Sequence, residues 1–96
     1  MSYAVPEDVE RGKNWADEVL QGFIEENGVR NRIEKYEWRY HPEHRYSFLR
    51  ITLREPREYK EEIFRSRELT DMDRRSELRS RIRAIVKSLA SYSCGG

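Results

Sequence analysis

The stretch YEWRYHPEHRYSFLRITL (residues 36–53) decides the fold. Two runs alternate bulky apolar residues with charged ones on either side of Pro42, the period-2 pattern of half-buried strands. The first run sets Tyr36, Trp38 and Tyr40 against Lys35, Glu37 and Arg39. The second sets Leu49, Ile51 and Leu53 against Tyr46, Phe48, Arg50 and Thr52. If His41 pairs with Tyr46, a four-residue loop remains, Pro42 to Arg45, a common hairpin length. Trp38 then faces Leu49, Tyr36 faces Ile51, and one side of the hairpin is apolar throughout. A slip of one residue would set Leu49 and Ile51 beside Glu37 and Lys35, which burial energy disfavours. The buried side is therefore Tyr36, Trp38, Tyr40, Leu49, Ile51 and Leu53.

Upstream, Val9, Ala16, Val19, Leu20, Phe23 and Ile24 recur at helical spacing, with Trp15 at the edge of the stripe. Pro6 opens this helix, the acids Glu7 and Asp8 suit its dipole, and Asn27-Gly28 ends it. The spacing predicts a helix over 6–27. Downstream, residues 59–66 (YKEEIFRS) follow a turn at Glu55-Pro56-Arg57 and read as a third strand, since a lone hairpin is seldom stable. A short helix with Tyr59 and Ile63 one turn apart is the alternative. Thr70 with Asp73 resembles a helix cap, and Met72, Leu78, Ile82, Ile85, Val86 and Leu89 form the apolar stripe of a second long helix, 71–92. The expectation is an α+β protein, a two-layer α-β-β-β-α sandwich with both helices on one face of a small antiparallel sheet.

Ninety-six residues suit a single domain over 1–96 with a flexible tail at about 93–96. Charged residues make up 39% against 36% hydrophobic, so the apolar groups must be well placed to outweigh chain entropy. No run approaches the roughly 20 apolar residues of a membrane span, and the start shows no secretory signal pattern. One cysteine, Cys94, builds no internal disulfide framework, and a cytoplasmic protein is the expectation. Net charge is +1, but residues 1–28 hold seven acids against Arg11 and Lys13, a net of −5. Residues 29–96 thus hold +6, and of all 19 basic residues only Lys13, Lys35, Lys60 and Lys87 are lysines. Arginine suits forked contacts to carboxylate or phosphate, or an ion-paired surface.

Two surfaces follow. The uncovered sheet side shows Arg39, His41, Tyr46, Phe48, Arg50, Thr52 and Arg54, arginines interleaved with aromatics. That mixture serves single-stranded nucleic acid, through stacking beside phosphate contacts, or a protein partner, including a second copy of the chain. It also fits a solvated face on which arginine stems cover the rings. On the last helix Arg75, Arg79, Arg83 and Lys87 step along one flank, with Arg74 and Arg81 on the other. Between them Glu77, Ser80, Ala84, Ser88 and Ser91 give a mostly small outer face that admits close approach by another backbone.

The order α-β-β-β-α is shared with double-stranded RNA-binding domains. Those domains open the last helix with a lysine cluster in a KKxAK pattern, whereas TDMDRRSELRSR here places Asp71, Asp73 and Glu77 at that point. Element order alone carries no function. His41 and His44 flank Glu43, but Pro42 breaks local helix and no thiolate completes a zinc set. No glycine-rich phosphate loop is present, no acid pair stands out for catalysis, and no histidine is placed to activate Cys94. Gly95-Gly96 resembles the end of ubiquitin-like modifiers and sulfur carriers, whose chains begin with a hairpin rather than a helix. The sequence therefore points to a non-enzymatic interaction domain without cofactor. It binds a protein partner or its own copy through Arg39, Tyr46, Phe48, Arg50 and Arg54 on the sheet and Arg75, Arg79, Arg83 and Lys87 on the helix. Nucleic-acid binding is the alternative, disfavoured by the low net charge and the acidic first helix. A diglycine-tailed carrier is the third reading.

Overall fold

Glu7, Asp8 and Glu10 crowd the first turn of α1 (Glu7–Asn27), and Gly28 closes it in the left-handed conformation at φ 62°. Pro6 stands just outside the helix as its N-cap. A 3-10 turn at Arg30–Arg32 leads into β1 (Ile33–His41), followed by β2 (Tyr46–Leu53) and β3 (Tyr59–Arg65). The chain ends in a short α2 (Ser66–Thr70), a second 3-10 turn and α3 (Arg75–Tyr92). This computed structural model describes residues 5–54 and 57–92, the side chains of 91 and 92 excepted. The Glu55-Pro56 turn and the expected flexible tail with Cys94 and Gly95-Gly96 lie outside the described residues. Among those described, no helix is long and apolar enough to cross a membrane.

The three strands form one antiparallel sheet in the order β1-β2-β3, and residues 59–65 are the third strand that the sequence reading expects. His41 pairs with Tyr46, Trp38 with Leu49 and Tyr36 with Ile51, the register that one-sided burial requires. A bulge between Ile33 and Lys35 shifts the pairing at the start of β1. Leu49, Ile51, Leu53 and Phe64 are buried on the inner face with Ala16, Leu20, Phe23 and Ile24 of α1 and Leu78, Ile82, Val86 and Leu89 of α3. Each such side chain contributes about 1.5–3 kcal/mol of burial, less for alanine. Tyr36, Trp38 and Tyr40 pack against that core while only half-buried, because β1 is an edge strand. Trp38 reaches the Phe64 ring at 5.6 Å and donates its indole N–H to Asp17 at 3.0 Å.

The last helix begins later than its pattern predicts. Residues 66–70 form α2, then Asp71 turns extended (φ −88°, ψ 106°) and its carboxylate accepts from the Asp73 N–H at 3.0 Å. A carboxylate bonding its own backbone two residues on competes with helix propagation. Met72 therefore lies 66% exposed instead of joining the core, and Leu69 takes an inner place that the periodicity had not assigned. The Thr70–Asp73 cap does not form. Asp71 is the N-cap there instead, while Glu68 caps the start of α2 by accepting from the Arg65 N–H at 2.9 Å.

Leu69 also explains Gly12. A Cβ at residue 12 would meet the Leu69 carbonyl, its carbon only 2.8 Å away, so α1 and α2 touch through bare backbone. Gly22 meets nothing within 4 Å. In urea unfolding, Gly12→Ala is expected to lower stability by about 1–3 kcal/mol through overpacking. Gly22→Ala should raise it by about 0.5–1 kcal/mol, the helix-interior cost of glycine removed.

Candidate functional site

Both long helices pack on the same side of the sheet, so among the described residues the other side has no covering layer. Four rows cross it. His41, Tyr46 and Arg65 form the first, Arg39, Phe48 and Ile63 the second, and Glu37, Arg50 and Glu61 the third. Lys35, Thr52 and Tyr59 form the fourth, although Thr52 is itself buried rather than open. Arg50 is the hub. Its Nε donates to Glu61 at 2.8 Å, and its guanidinium lies 5.7 Å from the Phe48 ring centre and 5.2 Å from that of Tyr59. Arg39 pairs with Glu37 at 3.2 Å. Around these pairs, Tyr59 is 59% exposed and Ile63 45%. His41 and His44 both lie against Tyr46, with ring centres 4.7 and 6.0 Å away.

The residues singled out in the sequence fall into separate places. Arg39, Tyr46, Phe48 and Arg50 come together on the open face. Arg54 lies beyond the end of β2, its N–H bonded to the Arg32 carbonyl, and lines a hollow with Asn31, Arg32 and Glu34. The helical set lies in the opposite layer and is partly committed to packing. The Arg75 guanidinium sits 4.7 Å from the Trp15 ring centre, and that of Arg79 lies 5.6 Å from Phe23. Arg83 and Lys87 remain exposed there. Tyr59, Glu61, Ile63 and Arg65 join this face without having been singled out, because YKEEIFR fits a strand and a helical turn alike and its apolar residues do not alternate.

Arg81 has a structural role. Its fork donates to Glu68 at 2.9 Å, to Glu62 at 3.1 Å and to the Ile63 carbonyl at 2.9 Å, while lying 4.8 Å from the Phe64 ring centre. One side chain thus ties α3 to α2 and to the outer edge of β3. On the opposite edge, Asp17 accepts from Trp38 and Gln21 and faces Tyr36. Burial first, and the Asp17 charge second, hold the Tyr36 phenol above the ordinary tyrosine value.

Comparisons with protein-family models, with curated proteins and with solved structures return no match. Function is therefore argued from the surfaces alone.

Arg81→Ala should cost about 2 kcal/mol in chemical denaturation, since it strands two carboxylates and a carbonyl. Arg50→Ala, an exposed pair, should cost less than about 1 kcal/mol. Stability should also fall as pH rises above about 10. There the unfolded chain releases the tyrosine proton that folded Tyr36 still holds, so proton release favours unfolding. Tyr36→Phe should flatten that part of the stability–pH curve relative to wild type.

Proposed function

We propose that the protein is a non-enzymatic binding module that engages another protein chain through the open sheet face. The exposure of Tyr59 and Ile63 around Arg50 carries this reading. An aliphatic side chain beside aromatic and arginine groups gains from burial against a protein, whereas a nucleic-acid strand uses stacking planes and free cations. Arg39 and Arg50 are already neutralised by Glu37 and Glu61. Their availability to phosphates is correspondingly low, which favours a protein over a phosphate backbone on this face.

The face is small. Three strands about 4.8 Å apart, over some seven residues of about 3.4 Å each, cover on the order of 350 Å². One partner in a standard interface contributes about 800 Å², so the face by itself suits a transient complex. Residues of this kind act as anchors because they bury large area at modest entropy cost.

The test is sedimentation of the protein with itself and with chains cross-linked to it in cells, at low and moderate salt. The double substitution Tyr59→Ser, Ile63→Lys should weaken the complex at least about tenfold, with weak salt dependence and an unchanged fold. A complex that survives the double substitution overturns the reading. So does one that forms only with an oligonucleotide and dissolves steeply as salt rises.

A further inference from the structure

The turn of the β1–β2 hairpin and the junction of β3 with α2 enclose a hollow of about 430 Å³ lined by His44, Arg45, Arg65, Ser66 and Arg67. Three arginines and a histidine line it, and no acidic residue does. Six other arginines, Arg30, Arg39, Arg50, Arg57, Arg74 and Arg81, each meet a carboxylate, and Arg75 and Arg79 lie against aromatic rings. Among the described residues, Arg45, Arg65 and Arg67 form no ion pair. Like charges gathered without a counter-ion repel one another, and an anion placed among them removes that repulsion.

The backbone holds the hollow together. Arg45 has φ 53°, a left-handed conformation that costs a non-glycine residue of order 1 kcal/mol. Its carbonyl accepts from the Ser66 N–H at 2.9 Å, fixing the hairpin turn to the start of α2. The Ser66 hydroxyl itself is shut off from solvent, so the residue meets the hollow through its other atoms. Of these residues only Arg65 also belongs to the open face, at the end of its first row.

We infer that this hollow is a binding site for a phosphate monoester. Guanidinium forks match the oxygens of a phosphate group in pairs, and charge-assisted bonds of this kind are about twice as strong as neutral ones. The volume falls within the usual range of about 300–1,000 Å³ for small-ligand sites, so the phosphate enters with part of the group that carries it. His44, stacked on Tyr46, forms a ring-lined rim for that group.

The probes are inorganic phosphate, ribose 5-phosphate and O-phosphoserine, each followed by phosphorus NMR line broadening and by thermal shift at constant ionic strength. Saturable binding is expected, lost at least about tenfold in the double variant Arg65→Gln, Arg67→Gln. Arg83→Gln on the opposite layer should leave it unchanged. Tighter binding of the sugar or of the amino-acid ester than of inorganic phosphate identifies the carrier, and equal binding assigns the site to the phosphate group itself. Three outcomes overturn the inference: a response no greater than that to chloride, one that persists in the double variant, or tighter binding of an oligonucleotide lacking a terminal phosphate.

Discussion

The rest of the structure depends on one-sided burial of a three-stranded sheet. Two long helices suffice to cover one face of such a sheet, and Leu49, Ile51 and Phe64 must lie beneath them. Strand residues alternate sides, so placing those three inward fixes the register along β2 and β3. It also forces Phe48, Arg50, Tyr59 and Ile63 outward. The open face therefore follows from the core rather than from a separate selection of surface residues. Gly12 and Leu69 close the same layer at its end, where α1 and α2 meet through backbone.

The arginines then divide by environment. Those beside aromatic rings, Arg75, Arg79 and Arg81, extend the core outward by covering Trp15, Phe23 and Phe64. Those on the sheet lie beside glutamates, which leaves that face mixed rather than basic. Others form no ion pair among the described residues, and three of these, Arg45, Arg65 and Arg67, gather at one corner of the sheet. A net charge of +1 thus conceals a local concentration of positive charge. Long-range attraction for a polyanion is weak, whereas short-range recognition of one compact anion is strong. The two proposed sites follow that distinction: apolar contact with a protein on the sheet, and charge-assisted contact with phosphate at its corner.

Much of this was legible before the fold was known. The alternation in residues 36–53 carried the hairpin, its loop and its pairing, because a slip would bury charge. The spacing from Val9 to Ile24 carried α1. Half of the open face was equally visible, since Arg39, Tyr46, Phe48 and Arg50 stand opposite the inward residues in that alternation. Residues 59–65 were ambiguous because YKEEIFR satisfies a short strand and a helical turn alike, and only pairing with β2 resolves it. The break at Asp71 was hidden for a similar reason: apolar spacing continues through Met72, but a local carboxylate–backbone bond ends the helix there.

What the sequence by itself determined, then, is the pattern of apolar residues at periods of 2 and 3.6, and with it the elements and the inner face. That information is local, and the physics that reads it is burial. What only the tertiary structure decided is which polar groups meet. Arg81 joins residues 62, 63 and 68, and the cationic hollow joins a turn at 44–45 to a junction at 65–67. Such contacts depend on the packing angle of whole elements, and a polar side chain's partner leaves no periodic trace along the chain.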